Sequence, residues 1–268
     1  MTNRDQIVDA YQTQFAATAA LMAGLTDEQW TAPSILPGWR VMDVLAHCLG
    51  TEYMLLGEKP PALDGEPPAH VHNEIARRNE EWVHLMREDT AQQMQDRWAD
   101  VAKRRSGVLS GQTQEDFDAE SWTPVGKGTL GDFMRIRVYD IWLHELDIRD
   151  SLGMPTAENN APAEIAVDEV ERALGYMIGK KAGAPDGSRV RFELTGPVRR
   201  AYGITVDGGH AKSGEPIEDP TVTVRMSSTD FARLTGNRGD VETVAQRVDV
   251  SGDTELGQRI ARSLGYTM

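Results

Sequence analysis

Residues 135–150, RIRVYDIWLHELDIRD, carry the pattern on which the fold of this chain turns. Their apolar positions recur with helical spacing, and a helix turns about 100° per residue, so Asp140 and His144, four apart, project from one face. Upstream, DVLAHCLG (43–50) is a second helical stretch and carries His47. If these helices are neighbours, the three side chains converge on one cation from two sides. Two imidazole nitrogens and a carboxylate form a donor set that leaves a catalytic divalent metal an open position. Spacing alone leaves other readings open. Asp140 could pair with Arg137 on its own helix, His144 could face solvent, and a lone helical histidine such as His47 is commonly a hydrogen-bonded interior residue. The same Asp-x-x-x-His spacing recurs as Asp43/His47, where a first-turn aspartate is explained by the free N–H groups at a helix start.

Working outward, the 135–150 stretch belongs to a helix predicted from about Thr129 to Ser151, with Leu130, Phe133, Met134, Ile136, Val138, Ile141 and Leu143 as its apolar residues. Residues 4–25 have the same period through Ile7, Tyr11, Phe15, Ala19 and Met22, and residues 25–30 make a short helical turn. The prolines of TAPSILPGW (31–39) interrupt the pattern, and a second long helix is predicted from Val41 to about Gly57. After the proline-rich segment 58–72 comes a long third helix, from about Asn73 to Leu109, with Thr90 as a point where it can break. Its apolar positions include Trp82, Leu85, Met86, Met94, Trp98, Val101 and Val108. Residues 110–127 are mostly polar and read as a loop. Four long helices with these connections predict a helical bundle.

The sequence changes character after LGMPTAENNAPAE (152–164), where glycine, proline and paired asparagines follow the fourth helix. Residues 163–181 look helical. Then RVRFELTG (189–196), RAYGITVDGG (200–209) and PTVTVRMS (220–227) alternate with strand period, and TDFARLTGNR (229–238) and ELGQRIARSLGY (255–266) are short helices. The expected organisation is multi-domain: a four-helix domain over 1–157 and a smaller α+β domain over 158–268.

Composition narrows the function classes. A net charge of −14 argues against nucleic acid or an anionic membrane surface as partner. No apolar run approaches the roughly 18–20 residues of a membrane span. The amphipathic N-terminus has no signal-peptide core, and the single cysteine, Cys48, excludes an intramolecular disulfide, so a cytoplasmic protein is expected. No heptad seam decides between monomer and homodimer.

The other candidates carry bland readings. His70 and His72 sit in the proline-rich segment, and a solvated loop explains them as well as a ligand role does. His84 has Glu80 and Glu88 one turn to either side, the pattern of a solvated helix face with i,i+4 pairs. His210 follows Gly208-Gly209 in a hairpin-like turn. Cys48 points about 100° away from His47 on its helix, which places it in the core and speaks against a Cys–His pair. Gly126-Lys127-Gly128-Thr129-Leu130-Gly131 fits GxGxxG, but a dinucleotide site needs a preceding strand within a βαβ unit, and here a polar stretch precedes it.

Taken in order, the motifs resemble a known family. LPGWRVMDVLAH (36–47) resembles the second-helix signature of the DinB-like, mycothiol-dependent maleylpyruvate isomerases: a tryptophan, a first-turn aspartate, then a metal-binding histidine. RVYDIWLHELDIRDSLG (137–153) resembles their fourth-helix signature, and TVTVRMSSTDFARLTGNRGD (221–240) is similar to their sterol-carrier-like C-terminal domain. The resemblance covers nearly the whole chain. It implies that His47 and His144 are metal ligands and that Asp140 takes the place where the isomerases commonly carry glutamate, one methylene longer. Arg40 stands where a serine or threonine helix cap is common; losing that cap costs around 1 kcal/mol.

The resemblance further implies a divalent metal, zinc first, with mycothiol as thiol cosubstrate and an electrophilic small molecule as substrate. Metal coordination lowers the pKa of a thiol from its free value of about 8.5. The thiolate then adds to an electrophilic double bond, giving cis–trans isomerisation if it is expelled after rotation and S-transfer if it is retained. Arg238 is the candidate for steering an anionic substrate or thiol carboxylate, or else an ordinary surface arginine. Asp147, three residues past His144, is either a hydrogen-bond partner of that histidine or part of a solvated face. The competing class is a non-catalytic, metal-stabilised binding or regulatory protein.

Overall fold

The computed structural model describes residues 3–63, 65–156 and 160–267. The chain forms two compact units, 1–157 and 158–268; residues 157–159, at the junction, lie outside the described residues.

The first unit runs α1 (Arg4–Ala23), α2 (Asp27–Thr31), α3 (Val41–Leu55), α4 (Glu74–Met86), α5 (Ala91–Ser110), α6 (Gln114–Asp118), β1 (Glu120–Thr123), β2 (Gly126–Thr129) and α7 (Leu130–Ser151). Helix α1 packs against α5 and α7, and α3 packs against the same two, closing a four-helix ring with α4 laid on α3. Apolar faces explain the ring. Tyr11, Phe15 and Trp98 form a continuous aromatic row, with centroids 4.7 and 4.6 Å apart. The Trp98 indole N–H is satisfied by the Phe15 carbonyl at 3.0 Å. Burying each such side chain contributes roughly 1.5–3 kcal/mol. Helices α3 and α4 approach closely because residue 50 is glycine: a Cβ there would lie 2.4 Å from the Trp82 side chain.

A polar contact also joins the four helices. Glu52 of α3, fully buried, accepts from Tyr11 of α1 (2.6 Å), Arg105 of α5 (2.8 Å) and Arg137 of α7 (3.0 Å). Each bundle helix therefore places one polar group on the same interior point.

Several sequence expectations change here. The third helix is two helices, α4 and α5; the second starts at Ala91 and is capped by Thr90, whose side chain and that of Gln93 form a reciprocal capping box. The expected loop 110–127 contains α6 and the β1–β2 hairpin. That hairpin is largely exposed on both faces, so it lacks the apolar alternation that marks a strand. The GxGxxG stretch runs from β2 into the first turn of α7, with no βαβ unit. Ala19, Leu85 and Val108, assigned to apolar faces, are exposed.

In the second unit, α8 (Ala161–Glu171) ends earlier than expected, and α9 (Leu174–Tyr176) and a π-helical turn (Met177–Lys181) follow it. A mixed sheet has the order β5 (His210–Gly214), β4 (Arg200–Asp207), β3 (Arg189–Thr195), β6 (Val222–Ser227), β7 (Asp249–Gly252). The β3–β6 pair is parallel and the others are antiparallel. Strand alternation buries Val190, Phe192 and Leu194 of β3 with Val222, Val224 and Met226 of β6. Helices α10 (Ser228–Thr235) and α12 (Thr254–Arg262) pack on these central strands, with Phe231 edge-on to Phe192 at 5.7 Å. Strands β5 and β7 and helix α11 (Val241–Ala245) carry little apolar signal and were not expected. His210 opens β5, opposite Asp207 across a two-residue turn in which Gly208 and Gly209 both have positive φ, 55° and 75°.

Candidate metal centre

Helix α3 begins with an incomplete capping box. The Arg40 backbone N–H donates to Asp43 Oδ2 at 2.9 Å, but a guanidinium has no acceptor with which to cap in return. Arg40 instead pairs with Asp43 and donates to the Arg87 carbonyl at 2.8 Å. Asp43 is thus spent on the helix start, as its position predicted, and His47 falls one turn later. Helix α7 starts from a full capping box, Thr129 with Asp132, and α3 packs against it.

This packing brings the predicted donors together. His47 Nε2 lies 3.6 Å from Asp140 Oδ2, and His144 Nε2 lies 3.6 Å from Asp140 Oδ1. The imidazole rings meet edge to face at 4.8 Å. One ligand atom from each of the three residues fits within a 4.8 Å span, and among the described residues no other group of His, Cys, Asp or Glu does so. A separation of 3.6 Å is too long for a hydrogen bond. It is close to the roughly 3.4 Å between two atoms each bound at about 2.1 Å to one tetrahedral zinc. The side chains of His47 and His144 are 9% and 8% exposed against 29% for Asp140, so solvent reaches the cluster on the Asp140 side.

Each donor is held differently. His144 Nδ1 lies 2.8 Å from Asp147 Oδ2. An ionised carboxylate only accepts, so Nδ1 carries the proton and Nε2 presents its lone pair toward Asp140. Asp147 is buried, which settles the choice the sequence left open in favour of the partner role. His47 Nδ1 is buried without a hydrogen-bond partner; packing orients that ring, with Trp39 at 5.4 Å and His144 at 4.8 Å. Burial lowers the His47 pKa, partly offset by Asp140, which keeps the imidazole neutral and able to ligate at neutral pH. Burial alone would raise the Asp140 carboxyl, but Arg137, His144 and His47 outweigh it and hold it well below the usual range. Arg137 pairs with Asp140 Oδ2, one of the pairings its helical spacing allows, and does so from within the cluster. Burial pushes the Cys48 thiol well up, which removes it as a nucleophile.

The remaining candidates lie elsewhere. His70 is half-buried, with Nε2 3.0 Å from Glu80. Glu80 turns inward, also accepting from Trp39 Nε1 (3.0 Å) and Arg87 (3.1 Å), so the expected solvated Glu80–His84 face does not form. His84 is exposed. Arg238, in the second unit, donates from Nη1 to the Gly236 carbonyl at 2.5 Å. Sequence reasoning missed Glu52 altogether and mentioned Arg137 only as a competitor for Asp140. The available signal was an acid, Glu52, in a helical stretch (41–56) that is otherwise largely apolar.

Asp147→Asn is expected to weaken metal binding about 10–100-fold, because an amide no longer fixes the His144 tautomer. A chelator-competition titration measures this; affinity within twofold of the parent would show that the contact does not matter.

Fold and site define a class: a helical bundle with a buried His–Asp–His cluster between two of its helices, followed by an α+β unit with a mixed sheet. Comparison with known proteins gives that class its name. The profile of the mycothiol maleylpyruvate isomerase N-terminal domain matches residues 11–149, and that of the corresponding C-terminal domain matches residues 164–259. The chain belongs to the mycothiol maleylpyruvate isomerase family. Among solved structures, it is similar to the crystal structure of the mycothiol-dependent maleylpyruvate isomerase, with TM-score 0.59, 16% identity and 93% of each chain covered. A histidine-to-alanine variant of such an isomerase matches with TM-score 0.54, 17% identity and the same coverage. At this identity the structures share the fold. A search of curated proteins found no match. No helix of the described residues is long and apolar enough to cross a membrane.

Proposed function

We propose that this protein is a metal- and thiol-dependent enzyme of the maleylpyruvate isomerase type, with His47, Asp140 and His144 as its metal ligands. The observation that carries this reading is the pair of imidazole Nε2 atoms set 3.6 Å from the two oxygens of one carboxylate, at ligand–ligand spacing. A divalent ion there, zinc first, supplies Lewis acidity that makes a bound low-molecular-weight thiol ionise near neutral pH. The chain's own residues do the rest. Asp147 holds the His144 tautomer, Trp39 packs against His47, and the bundle interior keeps water from all sides but that of Asp140. Asp140, one methylene shorter than the glutamate of the isomerases, would supply the carboxylate donor from α7, directly or through water.

Mycothiol is the thiol proposed, from the family, and an electrophilic double bond the target. Addition forms a carbon–sulfur bond and leaves a single bond free to rotate; expulsion of the thiolate restores the double bond as the other isomer. The proposed setting is cytoplasmic, as monomer or homodimer. Zinc-loaded protein incubated with mycothiol and maleylpyruvate is expected to yield the trans isomer, read by absorbance and chromatography. A thiol adduct with another electrophile would assign S-transfer instead. Bound metal with neither product would favour a non-catalytic binding protein, and a protein that takes up no metal would sink the reading altogether. Arg238→Ala is expected to raise KM for an anionic substrate with metal content unchanged; an unaltered KM would return Arg238 to an ordinary surface role.

A further inference from the structure

Arg137 is the cluster's unusual component. Its Nη1 pairs with Asp140 Oδ2, the oxygen that also faces His47, while Asp140 Oδ1 faces His144. Its Nε donates to Glu52 Oε1 at 3.0 Å, and its Nη2 lies 2.9 Å from the same oxygen as an ion pair without hydrogen-bond geometry. The guanidinium is 5% exposed and Glu52 fully buried, so neither can swing away into water. Glu52 is itself fixed by Tyr11 and Arg105. The network is electrically balanced before any ion arrives, because Arg105 and Arg137 offset Glu52 and Asp140.

We infer that Arg137 is a positioning residue of the metal centre: clamped by Glu52, it holds Asp140 by one oxygen and offsets its charge. This rests on the metal reading above. Two consequences follow from the same charge. A divalent ion next to an already neutralised carboxylate is bound less tightly than the donor set allows. That ion also keeps more of its own charge, and so takes an anionic thiolate in its open position more readily.

The test uses the full-length protein loaded with cobalt(II), whose ligand-field bands report coordination and whose sulfur-to-metal band reports a bound thiolate, with N-acetylcysteine as the probe thiol. Arg137→Gln is expected to bind cobalt at least about tenfold more tightly and to need at least about tenfold more thiol for half-saturation, shifts that one unit charge a few ångströms from the ion can produce. Arg137→Lys, which keeps the charge, is expected to restore thiol affinity toward the parent value. A merely structural role would weaken cobalt and thiol binding together, and that result, or unchanged constants in a folded variant, overturns the inference. If Arg137→Gln does not fold, Arg137→Met, which removes the same charge at similar volume and leaves Glu52 on Arg105 and Tyr11, reads the same two constants with the same expected directions. Parent protein that binds no cobalt fails the metal reading itself, whereas loaded parent with parallel losses in the variants fails only the role of Arg137.

Discussion

His144→Ala is expected to lower metal affinity by more than about a hundredfold, beyond the 10–100-fold typical of losing a ligand's outer partner, and to abolish any thiol-dependent turnover. The argument is geometric. His144 is the one donor whose ring is fixed by a charged partner, through Nδ1 on Asp147, and whose Nε2 is thereby aimed at Asp140 Oδ1. Removing it leaves His47 and a carboxylate already engaged by Arg137. Two donors, one of them shared, do not hold a catalytic ion against a chelator. His84→Ala, on the exposed face of α4, is the control and should change nothing. Metal analysis after dialysis against a weak chelator checks both; a His144→Ala protein that retains stoichiometric metal would disprove the ligand assignment.

The second large effect concerns stability. Glu52→Ala is expected to destabilise the protein by about 3–5 kcal/mol, the usual cost of breaking a buried ion pair by removing one partner. Glu52 is inaccessible to solvent, and it accepts from three donors on three other helices. Without it, the guanidiniums of Arg105 and Arg137 lose their shared carboxylate in a site that water does not reach. Arg137 keeps Asp140, whereas Arg105 is left with Met134 Sδ at 3.5 Å and the face of the Tyr11 ring at 5.9 Å, neither of them a counter-charge. Urea denaturation monitored by tryptophan fluorescence measures the change, and a loss below about 1 kcal/mol would place Glu52 among the weakly coupled ion pairs. Because each bundle helix contributes one member, the same variant tests whether this network helps to select the helix arrangement.

Much of the site was legible in the chain. The four-residue spacing of Asp140 and His144 and the helical setting of His47 singled out the three side chains that the structure brings together, since helical periodicity is a local property that sequence displays directly. The capping role of Asp43 was equally local. The hairpin at 120–129 was not legible, because with both faces largely exposed its residues lack period-2 alternation. Strands β5 and β7 were missed for a related reason: each is short, lies at a sheet edge and buries little.

The sequence by itself determined most of the long helices, the candidate donors and, through motif order, the family. Only tertiary structure decided what those donors face. Periodicity says which side of a helix a residue occupies, but the partner across the interface comes from another part of the chain, 41 residues away for Tyr11 and Glu52 and 85 for Glu52 and Arg137. Thus Asp147 became the partner of His144 rather than a solvated acid. Arg137 became part of the cluster rather than an alternative to it. Glu52, an unremarked acid in the sequence, became the point where four helices meet, because a buried charge must find its counter-charges wherever the packing brings them.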